Sequence, residues 1–213
     1  ILFSHLASCE IDLPESWTYD GKYIVVGEKA INSHLLVSKF DSSGIIEWYI
    51  SFADLDTGLK VGMIQESEYA IMGQSWIINL SNNGEINWFN INPCYFFHTV
   101  NAYEDQQGNV IVDAMRYQRL FDKDWNGPFT ESPPLLTRWS LNLSNGNASE
   151  QQLDEFPAEF PRIHPDLDGK FNRFGYSLGT GSGIKPDFGR VIKYDFVKNI
   201  NEVYELGQGK EGA

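Results

Sequence analysis

A hairpin that recurs is the strongest constraint on how this chain can fold. Residues 35–50 read LLVSKFDSSGIIEWYI and residues 76–91 read WIINLSNNGEINWFNI. Each is an alternating strand, a polar turn closed by a glycine (Gly44, Gly84) and a second strand carrying a tryptophan (Trp48, Trp88). The two glycines lie 40 residues apart. Looser copies follow at 135–153 and 190–206, with turn centres at Gly146 and Asn199, spaced by 62 and 53 residues. Apolar alternation bounded by Gly, Asn, Asp and Ser clusters is the signature of strand, turn and strand, and no long amphipathic helix pattern competes with it. An antiparallel hairpin repeated every ~40–60 residues predicts the blades of a β-propeller. The expected fold is therefore all-β, a partial β-propeller of about four blades forming one domain over residues 1–213, incomplete at both ends. A β-sandwich built from similar hairpins is the alternative that pattern alone leaves open.

Composition narrows function more than fold. Sixteen basic against 29 acidic residues give a net charge of −13, so no basic groove is available to neutralise phosphates and nucleic acid is excluded as a partner. Two cysteines, Cys9 and Cys94, do not form a disulfide framework, which favours a reducing, cytoplasmic setting. Three Asn-x-Ser triplets, at Asn79, Asn142 and Asn147, point weakly the other way. No apolar run approaches the roughly 18–20 residues that span a bilayer, and the first residues lack a signal-peptide pattern. The first residue is Ile1 and the last segment is GQGKEGA, which reads as a piece of something longer. The segment FDKDWNGPFTESPP (121–134) is long and aromatic for a loop, either a functional loop or a surface flap.

One histidine asks for an explanation. His98 follows Tyr95, Phe96 and Phe97 in the most aromatic run of the chain, NPCYFFHTVNAYED. Strict alternation would put Cys94, Phe96, His98 and Val100 on one face of a strand, and Tyr95, Phe97, Thr99 and Asn101 on the other. A buried imidazole needs partners for both ring nitrogens. It is either a core histidine bonded to backbone, or a metal ligand whose neutral form an apolar surround favours.

The wider context weighs on this choice. WFNINPCYFFHTVNAYEDQQGNVIVDAMRY carries an aromatic strand ending in Phe97-His98, then Asn101-Ala102-Tyr103-Glu104, then a hydrophobic strand ending in Arg116. EFPAEFPRIHPDLDGKFNRFGYSLG and VIKYDFVKNINEVYELGQGKEG follow it in order. The three blocks resemble signatures of the carotenoid cleavage oxygenase family, which includes apocarotenoid oxygenases, lignostilbene dioxygenases and the retinoid isomerase. The resemblance implies a seven-bladed propeller with Fe(II) held on its axis by four histidines, the third matching His98. Glu159 matches a glutamate that orients a ligand histidine, and Phe97 an aromatic beside the substrate tunnel. The implied reaction is oxidative cleavage by O2 of a C=C bond in an apolar polyene or a stilbene. A full-length parent of this kind can also touch a bilayer peripherally to extract its substrate.

The resemblance breaks at other ligands. The family's second histidine sits in an Ile-His-Asp-Phe segment, where this chain has Gln65 after Ile64. A neutral amide oxygen is a poor substitute for imidazole. His5 is the candidate for the first histidine; the fourth would lie beyond Ala213. His34 reads as structural and His164, before a proline, as solvent-facing. At most two ligands are expected here, so the chain is expected not to be competent alone. It is either a fragment of a longer enzyme or a degenerate relative, and the lost His-Asp-Phe segment, which truncation at an end does not explain, argues for the latter. A non-catalytic propeller that binds an apolar ligand or a protein partner is the rival reading.

Overall fold

The computed structural model describes residues 23–29, 34–52, 60–64, 68–72, 76–81, 83–123, 131–181 and 187–207. Fifteen strands occupy them in four antiparallel sheets, each a meander of consecutive strands. The first sheet comprises β1 (Tyr23–Lys29), β2 (His34–Phe40) and β3 (Ile46–Phe52). The second comprises β4 (Lys60–Ile64), β5 (Glu68–Met72), β6 (Trp76–Ser81) and β7 (Ile86–Asn90). The third comprises β8 (Tyr95–Glu104), β9 (Asn109–Tyr117), β10 (Leu135–Asn142) and β11 (Asn147–Gln152). The fourth comprises β12 (Ala158–Arg162), β13 (Phe174–Gly179), β14 (Arg190–Asp195) and β15 (Ile200–Glu205).

The recurring hairpins of the sequence are the outer pair of strands in each sheet, β2–β3, β6–β7, β10–β11 and β14–β15. Their turns need left-handed backbone, which Gly44, Gly84, Gly146 and Asn199 supply with φ of 80°, 88°, 72° and 52°. Gly44 and Gly84 close the same device. Each amide donates to the carbonyl three residues back, on Asp41 and Ser81, whose side chains also accept from the far side of the turn.

The sheets stack face to face through three apolar seams. Val37 and Phe52 of the first sheet meet Ile71, Trp76, Ile78 and Leu80 of the second. Ala70, Met72, Ile77 and Phe89 of the second meet Cys94, Phe96, Ala102, Val112 and Trp139 of the third. Val100, Met115 and Leu136 of the third meet Ala158, Ile192 and Tyr194 of the fourth. The innermost strands also pack on one another, β4 on β8 and β8 on β12. Four sheets stacked face to face, with β4, β8 and β12 lined up along their inner edge, are four blades of a β-propeller, and this arrangement excludes a two-layer sandwich. Among the described residues no helix is long and apolar enough to cross a membrane.

Several sequence readings meet the structure here. Asn79 is buried on β6, where it accepts a hydrogen bond from Asn87 Nδ2 at 3.3 Å, so its triplet is not displayed as a glycosylation site on the folded chain. Cys94 is a buried free thiol pushed up to about 11, chiefly by burial. His164 is solvent-facing as expected, with its side chain 69% exposed and Nδ1 accepting from the Asp166 amide of a short 3-10 turn. His34 opens β2. The centre of the 121–134 segment lies outside the described residues, as do His5, Cys9 and Gln65.

Candidate metal centre

His98 lies on β8, and two irregularities in the β8–β9 ladder decide where it points. Phe96 pairs with Arg116, Thr99 with Ala114 and Asn101 with Asp113. β8 therefore carries one extra residue between Phe96 and Thr99 and another between Thr99 and Asn101, two β-bulges in close succession. Phe96 and Ala102 sit in the seam with the second sheet, whereas Val100 sits in the seam with the fourth. The expectation that Phe96, His98 and Val100 share a face is thus corrected. Each bulge places two successive residues on one side, Phe97 with His98 and Val100 with Asn101, all toward the fourth sheet. The pair of bulges inverts residues 98–100 and then restores the original phase. Regular alternation would have turned His98 to the second sheet.

What His98 meets is Glu159 on β12. Its Nδ1 lies 2.7 Å from Glu159 Oε2, and the Glu159 side chain is 2% exposed. β12 is irregular as well. Its pairing with β13 shifts between Glu159 and Arg162, and Phe160 takes φ of 55°, rare for a bulky residue. Ala158 and Glu159 are consequently both buried, while Phe160 turns outward, its ring 5.1 Å from the imidazole. The Phe160 amide donates to the same Oε2 at 2.9 Å. Burial holds the Tyr117 phenol above its ordinary range, reinforced by the Glu159 charge.

An ionised carboxylate only accepts, so opposite it Nδ1 carries the proton and the Nε2 lone pair is left to face away from Glu159. A histidine whose far nitrogen is pinned by a carboxylate is the usual orientation for a metal-ligating ring. The His98 side chain is 36% exposed, so Nε2 is reachable. Phe97 is half-buried, in edge contact with Tyr95 at 5.2 Å and Tyr117 at 5.6 Å. A cavity of about 430 Å³ opens beyond Phe160, lined by Phe160, Arg162, Tyr176, Leu178, Phe188 and Val191.

His98 and Glu159 are the two expected site residues that the fold brings together. Among the described residues no group of three or more His, Cys, Asp or Glu could hold a metal. The donor set fits one imidazole of an iron site, and further donors are required to complete one. Sequence reasoning missed Tyr117, whose signal was its place directly after the Arg116 that ends the first block. It also missed Asn101, named only as part of that block, which makes a dense set of bonds to the fourth sheet.

Comparison with known proteins bears on these residues. The family model described as retinal pigment epithelial membrane protein matches residues 52–211. A carotenoid cleavage oxygenase of Mycobacterium tuberculosis is 36% identical over 119 residues, 54% of this chain and 24% of that protein. An isoeugenol monooxygenase of Pseudomonas putida is 39% identical over 110 residues, 48% of this chain and 22% of that protein. A solved structure described as cobalt-substituted Synechocystis apocarotenoid oxygenase superposes with a TM-score of 0.69 at 19% identity, covering 89% of this chain and 48% of that one. The chain thus spans about a quarter of the length of the curated relatives it matches. With the family model matched over most of its length and the propeller shared with the solved structures, the chain belongs to the family of the retinal pigment epithelial membrane protein and the carotenoid cleavage oxygenases.

Proposed function

We propose that this chain is part of a non-haem Fe(II)-dependent dioxygenase that cleaves a C=C bond of a carotenoid, apocarotenoid or stilbene. The observation that carries this reading is the His98–Glu159 pair, an imidazole with Nδ1 held at 2.7 Å by a carboxylate and Nε2 left for a ligand. His98 is the iron ligand, and Glu159 fixes its tautomer and ring plane. His5 is the candidate for a second ligand. Bound Fe(II) would supply the one-electron chemistry that O2 requires. The chain's own residues bind, orient and keep water out: Phe97 flanks the ligand on β8, and Phe160 covers the imidazole beside an apolar cavity. The relatives include proteins named for carotenoid cleavage and an isoeugenol monooxygenase, which supports an apolar conjugated substrate. Gln65 in place of the family's second histidine is internal to the chain, so truncation at an end does not account for it and it favours a degenerate member of the family; a cytoplasmic, reducing setting suits the buried free Cys94.

The test is iron stoichiometry after anaerobic loading, paired with O2-dependent cleavage of an apocarotenoid. It is run on the 213-residue chain and on a longer form carrying it. Iron retention and cleavage are expected only in the longer form, and His98→Ala in that form is expected to abolish both. Unchanged iron content in His98→Ala would remove the ligand assignment. The rival reading, a non-catalytic module that binds an apolar ligand or a protein partner, predicts polyene or protein binding without iron.

A further inference from the structure

The His98–Glu159 bond joins two strands that share no ladder, β8 of the third sheet and β12 of the fourth. Something else must hold these strands at the right separation. Asn101 lies three residues beyond His98 and is buried, 4% exposed. Its Nδ2 donates to Lys170 O at 2.8 Å, Asn172 Oδ1 at 2.7 Å and, more loosely, Leu167 O at 3.3 Å. Its Oδ1 accepts from the Gly169 amide at 3.1 Å and from the neighbouring Ala102 amide at 2.9 Å. The amide is thus oriented without ambiguity, with nitrogen facing three acceptors and oxygen facing two N–H groups. All partners but Ala102 belong to the loop that joins β12 to β13, directly downstream of Glu159 and its bulge.

The second bulge of β8 explains why Asn101 can do this. It turns Val100 and Asn101 to the same side, so one residue packs into the seam and the next grips the loop. Tyr103 adds an edge contact to Phe171 of that loop at 5.7 Å.

We propose that Asn101 is a positioning residue for the candidate metal centre: it clamps the β12–β13 loop to β8 and so sets the reach of Glu159 to His98 Nδ1. The proposal rests on the reading of His98 as ligand and Glu159 as its orienter. Asn101 touches neither substrate nor metal; it acts through the backbone that carries Glu159. Among side chains of the same length Asp lacks the donors and Leu lacks both donors and acceptor, and Gln carries the amide one methylene farther out.

The experiment reads the tautomer of His98 directly and needs no iron. The 213-residue chain is labelled with ¹⁵N-histidine and its imidazole couplings are recorded at about pH 8, above the ordinary imidazole range; His98→Gln assigns the signal. The unsubstituted chain is expected to show His98 protonated on Nδ1. Asn101→Ala, folded by circular dichroism, is expected to lose that preference and show both tautomers. Asn172→Ala, which removes one bond of the clamp, is expected to shift in the same direction by less. If Asn101→Ala does not fold, Asn172→Ala decides, and an unshifted tautomer there overturns the proposal. A folded Asn101→Ala that keeps Nδ1–H is merely less stable, and it overturns the clamp while leaving the His98–Glu159 reading intact. If the unsubstituted chain lacks the Nδ1–H form, the orienter reading itself fails and the clamp goes with it.

Discussion

Glu159 is a carboxylate that a protein core would ordinarily exclude, since burying an unpaired charge costs several kcal/mol. It is tolerated because a backbone amide at 2.9 Å and the His98 ring at 2.7 Å both meet its Oε2. A carboxylate that only accepts is what pins the imidazole. Glu159→Gln isolates the effect, because the side chain keeps its shape and an acceptor oxygen but loses the charge. Iron affinity is expected to fall about 10- to 100-fold, the usual cost of removing a ligand's outer partner, in an anaerobic Fe(II) titration. Folding stability is expected to stay level or rise, because a desolvated charge is gone. A drop in stability with unchanged iron affinity would make Glu159 a structural residue instead.

At the level of strands, the hairpin turns were legible in the sequence and the bulges were not. Gly44, Gly84, Gly146 and Asn199 announce themselves because left-handed backbone restricts residue type, so a local need leaves a local mark. The outer hairpins could be read for the same reason, together with the one-sided alternation of strands such as β3, whose burial alternates until Phe52. β6 is buried at five consecutive positions because it has a sheet on each face, and such a strand loses the alternation that would identify it. The paired bulges in β8 and the left-handed Phe160 arise from packing between sheets, and no local residue pattern encodes them. For this reason the sequence identified His98 and Glu159 through a family motif while placing His98 on the wrong face. The turn residues carry a prediction of their own. Gly84→Val forces a β-branched side chain to φ of 88° and is expected to cost about 1–2 kcal/mol from the backbone alone, since its Cβ meets only ordinary contacts. Asn199→Gly relaxes φ of 52° and is expected to be neutral or to gain a few tenths of a kcal/mol. Denaturant midpoints of the two variants measure both effects.

The whole molecule is a stack in which each sheet touches only its neighbours, so its stability divides among three seams rather than residing in one core. The second and third sheets are buried on both faces by this stacking. The described strands of the first and fourth have one face without a neighbouring sheet, where Tyr49, Tyr176 and Tyr204 stay exposed. A fully buried side chain of this size is worth about 1.5–3 kcal/mol, so losing one face of apolar burial weakens an outer sheet substantially. The middle seam is also the richest, holding Trp139 with Phe89, Phe96 and Met72. Local opening should therefore begin at β3 and β15 and reach the middle sheets last. In native-state hydrogen exchange the amides of β5, β6, β9 and β10 are expected to be the slowest, and those of β15 to exchange well ahead of them. β8 tests the functional reading at the same time. As an innermost strand with two interrupted stretches of ladder, it should exchange faster around His98 than at Ala102–Glu104, and Asn101→Ala should widen that difference without altering β5 or β6. Uniform exchange across all four sheets would instead show a single cooperative unit, and a metal site whose geometry depends on the entire stack.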